Sequence, residues 1–380
     1  MIPSLVMIRS ERSQIADHKV CGLYPLERNI RLLWHSGVKE IILDLNESDR
    51  AVYERMKRRV EKLNGVRVSL RSGRAAAIKK THLILSATYF IQFHHLIRFD
   101  DFFRKKGNEY RITNGEDHFF LTSKDDIVRA EKIAMENIRM SAGGAVARVI
   151  NKRISLPISI RLARLGIHPN VITFTTFLMM LCGSWMLWKN EYWWLLASAT
   201  IFQLISILDG CDGEVAKLTC KFSRAGAIFD TLNDYTCLIL YMAGSSYVYY
   251  LKVGSLIAIG TAAVAFGGLF VMMGAIVVYL KRYSLSKSFG AYNREFMAKL
   301  PLNDPFAWVA VRLQYFTRKE FYSWIVFFLA IPGFLYLMIP YTALSVLIGA
   351  VLCVLLNFRY FPMMPRVKSR VDMTYISHRS

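Results

Sequence analysis

The chain has 380 residues, of which 54% are hydrophobic, and its 49 Lys and Arg against 28 Asp and Glu give a net charge of +21. This length allows two or three domains, and apolar spans with basic cytosolic flanks explain both the apolar content and the charge. The charge favours contact with anionic lipid headgroups over nucleic acid, because no basic module with interleaved aromatic residues lies outside the apolar half. The six cysteines include no CxxC pair, which argues against a disulfide framework or a zinc site.

Residues 1–140 predict a cytosolic α/β domain, because short apolar runs alternate with amphipathic stretches and so favour a mostly parallel sheet. The start of the chain lacks the long apolar core of a secretory signal. Ser123 and Asp126 form a capping-box pattern at the start of one helix. The strands are predicted at 4–8, 38–45, 66–70, 81–87 and 118–122, and the helices at 26–35, 47–63 and 124–139.

Residues 141–170 are predicted to connect this domain to the apolar half. They mix Val, Ile and Leu with Arg and Lys, which is typical of an amphipathic helix lying along the membrane. We expect Pro157 to break that helix. The alternative is a linker with no binding role.

Residues 171–360 predict an all-α domain of six transmembrane helices, followed by a basic cytosolic tail at 361–380. The loops after spans two, four and six are rich in Lys and Arg, which places both termini in the cytosol and the protein in the cytoplasmic membrane. The candidate spans are 171–188, 193–208, 227–251, 255–280, 321–339 and 341–357.

Four aspartates lie inside or at the edge of these spans: Asp209, Asp212, Asp230 and Asp234. An isolated carboxylate at bilayer depth costs about 2.5–3.5 kcal/mol, so a group of four predicts a function. The spacings of three and four residues put each pair on one helix face. Carboxylates that converge from two helices favour hard divalent cations such as Mg²⁺, Mn²⁺ or Ca²⁺, two of which could clamp a phosphoryl group.

Small and basic residues accompany these acids. Gly213, Ala216 and Gly226 would allow a ligand to approach the helix backbones closely. Lys217 and Arg224 could meet phosphate oxygens. We expect Glu214 to face a basic neighbour.

The run reads D-x2-D-G-x2-A-K-x8-G-x3-D-x3-D over residues 209–234. It resembles the defining motif of the CDP-alcohol phosphotransferases, with Lys217 replacing the family's arginine and losing its bidentate fork. The segments SLPIS at 155–159 and HPNVIT at 168–173 are similar to the family's amphipathic helix and its P-N-x-x-T element.

The resemblance implies transfer of a substituted phosphate from a CDP-alcohol to a second alcohol, with release of CMP. It implies that Asp209, Asp212, Asp230 and Asp234 bind two divalent metal ions, and that Asp234 also deprotonates the attacking hydroxyl. The implied cytidine pocket is formed by Gly213, Ala216, Lys217, Gly226, Asn170 and Thr173. We also expect a homodimer.

The segment at 25–45 is similar to sugar-phosphate nucleotidyltransferases. Such a fusion resembles the bifunctional inositol-1-phosphate cytidylyltransferase/di-myo-inositol phosphate phosphate synthases. We expect a non-catalytic version of this domain, because Gly22 stands alone where a Gly-rich loop belongs, and Ala87 and Thr88 occupy the place of a metal-binding aspartate. Asp44, Asp100, Asp101, His94 and His95 are better interpreted as surface or structural residues than as metal ligands.

The acceptor and the donor stay open at this stage. Arg161, Arg224, Lys281 and Arg282 could bind a polyol phosphate, although topology alone also explains such cations. The donor could be CDP-diacylglycerol or a soluble CDP-alcohol. Two other functions are an ion or solute transporter, because intramembrane acids also mark ion paths, and a membrane-anchored pseudoenzyme or scaffold.

Overall fold

The computed structural model describes residues 3–10, 17–71, 82–92, 96, 103–106, 109–112, 115–116, 118–140, 151–221, 224–283, 292, 296–297, 300–301, 303–313 and 319–361. The chain forms two compact units. The first comprises Met1–Phe174 and Leu208–Asp230, and the second comprises Thr175–Ile207 and Thr231–Ser380. Three helices contain residues of both units: Pro169–Leu187, Tyr192–Leu218 and Arg224–Val253.

The first unit contains a six-stranded sheet in the order β3-β2-β1-β4-β7-β6, in which only β6 runs antiparallel to its neighbour among the described strands. A separate antiparallel pair joins β5 and β8. The strands are β1 (Leu5–Arg9), β2 (Glu40–Asp44), β3 (Arg67–Leu70), β4 (His82–Ser86), β5 (Tyr89–Phe90), β6 (Phe103–Lys106), β7 (Glu109–Ile112) and β8 (Phe119–Phe120).

The burial of the central strand β1 is typical of a parallel sheet that is packed on both faces. Residues Leu5, Val6, Met7 and Ile8 of this strand are all buried. Helix α1 (Pro25–His35) packs Ile30 and Leu33 into the same core, and α2 (Glu47–Val60) adds Tyr53 and Met56. The predicted α/β class of this part is therefore confirmed.

A second core of the first unit joins three helices. They are α3 (Lys124–Met140), α4 (Lys152–Arg164) and the last turns of α6 (Tyr192–Leu218). Buried residues from all three, with Phe90 and Phe119 of the small sheet, form one apolar cluster: Ile127, Ala130, Ala134, Ile138, Leu156, Ile160, Ala163, Cys211, Val215 and Leu218.

The predicted capping box of α3 is confirmed by two reciprocal bonds. The Asp126 amide donates to Ser123 Oγ at 3.2 Å, and the Ser123 amide donates to Asp126 Oδ2 at 2.9 Å. The predicted break at Pro157 is wrong, because α4 continues through that residue. Leu156 and Ile160 are buried on either side of it, and their packing offsets the hydrogen bond that proline cannot donate.

Seven helices follow in the described part of the chain. The first three contain residues of both units, and the other four belong to the second unit. The seven are α5 (Pro169–Leu187), α6, α7 (Arg224–Val253), α8 (Ser255–Tyr283), α9 (Pro305–Leu313), α10 (Lys319–Ala330) and α11 (Met338–Tyr360). The helical class of the C-terminal part is confirmed. All six cysteines lie among the described residues, and none of them forms a disulfide.

Four helices in the described part of the chain are long and apolar enough to cross a membrane: Pro169–Leu187, Tyr192–Leu218, Leu256–Tyr283 and Leu335–Tyr360. The predicted third span corresponds to α7, which carries Asp230 and Asp234. The predicted fifth span is interrupted, because α10 ends at Ala330 and a 3₁₀ turn follows at Leu335–Leu337. The number of crossings therefore stays a prediction.

Small residues bring the helices of the second unit close together. A Cβ built on Gly244 of α7 would lie 2.7 Å from Leu187 Cδ1 of α5, and one on Gly268 of α8 would lie 2.9 Å from Val346 Cγ1 of α11. Helices in a bilayer associate largely through such close packing. Asn233 of α7 also donates to Thr176 Oγ1 of α5 at 3.2 Å.

Candidate active site

Helix α6 carries the first half of the acidic motif in its last two and a half turns. The apolar run that predicts a span ending near residue 208 continues as helix to Leu218, so Asp209 and Asp212 lie on a regular backbone. Helix α7 carries Asp230 and Asp234 four residues apart, and therefore on one face.

The structure brings three of the four aspartates together. Carboxylate oxygens of Asp209, Asp230 and Asp234 lie within 4.8 Å of one another, and all three side chains are half-buried. The donor set consists of hard oxygens without histidine or cysteine, which suits Mg²⁺, Mn²⁺ or Ca²⁺ better than a soft metal. These residues therefore fit a divalent cation chemically.

Asp212 has a different environment from the other three. It is 7% exposed, its Oδ2 accepts a bond from Thr173 Oγ1 at 2.5 Å, and its Oδ1 accepts one from the Gly213 amide at 2.5 Å. Thr173 Oγ1 also lies 3.4 Å from the Pro169 carbonyl oxygen, but its one proton is directed to the much nearer Asp212. The first turn of α5 thus fixes the orientation of Asp212.

Glu214 is the fifth acid of the segment, and it faces a basic neighbour as expected. Its Oε1 accepts bonds from Lys152 Nζ at 2.5 Å and Ser155 Oγ at 2.6 Å, and its Oε2 accepts one from Ser159 Oγ at 2.6 Å. The side chain is almost fully buried, so these three donors from α4 offset the loss of water around its charge. The network joins α4 to the motif-bearing end of α6.

The predicted cytidine-pocket residues differ in exposure. Gly213 and Lys217 are exposed, Ala216 and Gly226 are half-buried, and Thr173 is buried against Asp212. A Cβ built on Gly213 would meet no atom within 4 Å, so there is open space above this turn of α6. Asn170 is exposed, and its amide donates to His168 Nδ1 at 3.3 Å.

The predicted acceptor-binding residues are distributed over both units. Arg161 is exposed on α4 in the first unit. Lys281 and Arg282 are exposed in the last turn of α8 in the second unit. The side chain of Arg224, at the start of α7, lies outside the described residues, as do His94, His95, Asp100 and Asp101.

The family described as CDP-alcohol phosphatidyltransferase matches residues 166–355, which is half of the chain and includes the whole acidic motif. The chain belongs to this family. The predicted resemblance is therefore confirmed, together with an N-terminal nucleotidyltransferase-like architecture.

Relatives of this CDP-alcohol phosphatidyltransferase family member include proteins named bifunctional IPC transferase and DIPP synthase. The one from Archaeoglobus fulgidus is 28% identical over 137 residues, covering 36% of this chain and 27% of the relative. The one from Thermococcus kodakarensis is 28% identical over 182 residues, covering 48% and 38%. A CDP-diacylglycerol–serine O-phosphatidyltransferase from Helicobacter pylori is 31% identical over 122 residues, covering 32% and 47%. The matched segments thus span less than half the length of these relatives.

Sequence reasoning missed the residues that hold this family's motif in place. Thr176 and Asn233 join α5 to α7 by a hydrogen bond. Lys152, Ser155 and Ser159 of α4 all bond Glu214 and so join α4 to α6. Serine, threonine and asparagine side chains within apolar helices could have predicted these contacts, because such side chains often form hydrogen bonds to a neighbouring helix.

At the carboxyl ends of the parallel strands in this family member, several described side chains bond one another. Asp44 at the end of β2 pairs with Arg9 at 3.3 Å and with Arg71 at 3.6 Å. Ser10 donates to Asp49, and both Ala87 and Thr88 after β4 are buried. This edge of the sheet, where α/β proteins usually bind ligands, therefore carries internal bonds between its described residues.

Proposed function

We propose that this membrane protein transfers a substituted phosphate from a CDP-alcohol to a hydroxyl of an alcohol acceptor and releases CMP. The observation that carries the proposal is the convergence of Asp209, Asp230 and Asp234, from two helices, within the segment that the family match covers. Bilayer-depth carboxylates are costly, and a phosphoryl-transfer site gives them a role.

The carboxylates Asp209, Asp212, Asp230 and Asp234 would hold two divalent ions, Mg²⁺ or Mn²⁺, with Ca²⁺ as a further possible occupant. When bound, such ions supply positive charge near the pyrophosphate oxygens of the donor. Thr173 keeps Asp212 in one orientation through its hydroxyl. That arrangement reduces the freedom of one ligand before the donor binds.

Asp234 is the proposed general base. It lies one helical turn after Asp230, and its carboxylate is within 4.8 Å of the carboxylates of Asp209 and Asp230. Its carboxylate would accept the proton of the acceptor hydroxyl as the new P–O bond forms and the bond to CMP breaks.

The cytidine end of the donor would bind along the exposed turns of α6 and α7. Open space above Gly213 supports this placement, and Ala216, Gly226, Asn170, Thr173 and Lys217 are the other proposed contacts of the cytidine end. Lys217 supplies a positive charge, but its ammonium group cannot bind two phosphate oxygens side by side as the guanidinium of the family's arginine can. Arg161, Arg224, Lys281 and Arg282 are the proposed contacts for a phosphorylated acceptor.

The name of one relative, CDP-diacylglycerol–serine O-phosphatidyltransferase, contains the donor CDP-diacylglycerol, and a soluble CDP-alcohol is the second donor that we propose to test. We propose that the protein resides in the cytoplasmic membrane as a homodimer, with six spans and both termini in the cytosol. The α/β domain is proposed to be non-catalytic, which the Arg9–Asp44–Arg71 ion pairs and the buried Ala87 and Thr88 support.

The test is CMP release from purified protein with Mg²⁺ or Mn²⁺, screened over CDP-alcohols and polyol or amino-alcohol acceptors. Asp234→Asn should lower kcat by at least a hundredfold, since general bases typically contribute a factor of about 10²–10⁴. Asp125→Asn, a change on the exposed face of α3, is the matched control and should leave the rate unchanged.

Normal CMP release by Asp234→Asn would remove Asp234 from its proposed role. A protein that acts as a transporter would release no CMP, and CDP with metal would not raise its melting temperature. An enzyme of the proposed kind should show both effects.

A further inference from the structure

The C-terminal end of α6 is buried in the α/β part of the first unit. The helix ends at Leu218, and Cys220 then adopts a positive φ of 50° that turns the chain away. Cys220 is fully buried, and it packs in the same apolar cluster as the strands β1, β2 and β4 and helix α1. The residue that turns the chain after the acidic helix thus packs in the core of the nucleotidyltransferase-like domain.

Two side chains of α1 satisfy the carbonyl groups at this helix end. Arg28 Nη1 donates to the Leu218 carbonyl at 2.9 Å, and His35 Nε2 donates to the Cys220 carbonyl at 3.1 Å. Terminal carbonyls have no partner within their own helix, and a buried carbonyl without a donor costs about 1–3 kcal/mol. Arg28 and His35 are seven residues apart, so they lie on one face of α1.

The guanidinium of Arg28 is held in a fixed position. The residue is 5% exposed, and its guanidinium carbon lies 5.3 Å from the centre of the Phe90 ring. The adjacent Glu27 is fully buried and pairs with Arg31 at 3.0 Å and with Arg59 at 3.3 Å. The buried charge of Glu27, next to Arg28 on α1, is therefore neutralised by two arginines.

The turn held by α1 is continuous with the proposed donor site. The Thr219 amide donates to the Val215 carbonyl at 2.8 Å, and the Lys221 amide donates to the Ala216 carbonyl at 2.9 Å. Ala216 and Asp212 precede that turn by one and two helical turns. A displacement at Leu218 would consequently move the residues that face the donor pyrophosphate.

We propose that Arg28 and His35 are positioning residues through which the α/β domain fixes the donor-binding end of α6. The α/β domain, which we propose to be non-catalytic, would thereby serve the transfer reaction in the membrane domain. The expected effect on the kinetics rests on the proposed function. The expected effect on the stability of the end of α6 does not depend on it.

The kinetic test compares full-length Arg28→Met, Arg28→Lys and wild type in CMP release. Arg28→Met keeps most of the apolar stem and removes the donors, so the donor KM and the Mg²⁺ concentration for half-maximal rate should both rise about tenfold. The acceptor KM should stay constant, and Arg28→Lys should recover most of the change. Arg58→Met, on the exposed face of α2, is the matched control.

A merely structural role of Arg28 would reduce the amount of active protein, and hence the apparent kcat, without moving either half-saturation value. That result would overturn the proposal. Absence of CMP release by wild type would instead contradict the proposed function, and the inference would then be decided by hydrogen exchange. Amides of residues 212–221 should exchange at least tenfold faster in Arg28→Met than in wild type or Arg58→Met, and unchanged exchange would overturn the inference.

Discussion

Five acidic side chains lie between residues 209 and 234, and the structure gives them different partners. Asp209, Asp230 and Asp234 face one another, Asp212 accepts a threonine hydroxyl, and Glu214 is bonded by three donors of α4. A carboxylate with a complete set of protein donors has little capacity left for a metal ion. Glu214 is consequently a structural acid within a catalytic motif.

The Glu214 network makes a stability prediction. Glu214→Gln removes the negative charge that neutralises Lys152, whose side chain is 17% exposed, and should lower the free energy of unfolding by about 2 kcal/mol. Thermal unfolding in detergent measures the change, with Glu136→Gln on the exposed side of α3 as the control.

A double-mutant cycle separates the pair from its surroundings. The double variant Lys152→Met/Glu214→Gln should lose clearly less free energy of unfolding than the sum of the two single variants. Each single variant leaves one charge without its partner, whereas the double variant removes both charges. Additive losses would show that Lys152 and Glu214 do not interact in the folded protein.

The α/β domain contacts α4 through a short turn as well as through its helices. Gly22 has a φ of 82°, and a Cβ on it would lie 2.1 Å from the Ala163 carbonyl oxygen. The neighbouring Cys21 amide donates to Glu131 Oε1 at 2.9 Å, while Arg164 pairs with Glu131 Oε2 at 2.5 Å. Gly22, which stands alone in a loop that is Gly-rich in nucleotidyltransferases, has a packing role here.

Replacing this glycine tests the contact at the level of the element. Gly22→Ala should lower the free energy of unfolding by more than about 2 kcal/mol, since backbone strain and a backbone clash act together. Gly65→Ala is the control, because Gly65 has a φ of 87° but open space around it, and it should cost only about 1 kcal/mol. Equal losses at both positions would contradict the packing role.

The cap of α3 gives a pH-dependent prediction. Although burial opposes it, hydrogen bonds from Thr122 and Ser123 lower the pKa of Asp126 from 3.8 to about 2. A folded-state pKa below the unfolded one stabilises the protein above about pH 3.8, and that contribution disappears as the pH falls through 2.

Asp126→Asn should therefore reduce the melting temperature at pH 5 and have a progressively smaller effect between pH 3.8 and 2. Thermal unfolding of the variant and wild type across this range measures the difference, with Asp125→Asn as the control. A difference that stays constant or grows toward acidic pH would refute the assignment.

At the scale of the whole molecule, the sequence predicts the parts better than their assembly. Apolar runs predict β1, β2, β3 and β4, and the spacing of the motif predicts that two pairs of acids share helix faces. The union of the α/β domain with α4 and the end of α6 depends on long-range contacts such as Arg28 with Leu218, which no local pattern encodes. The same limit explains Pro157, since tertiary packing overrides the local cost of proline.

The most direct measurement is the anomalous diffraction of crystals grown with Mn²⁺ and CDP. We expect Mn²⁺ density among the carboxylates of Asp209, Asp230 and Asp234, adjacent to the pyrophosphate of CDP, and loss of that density in Asp230→Asn. CDP bound elsewhere, or manganese absent from these carboxylates in wild-type crystals that contain CDP, would contradict the account.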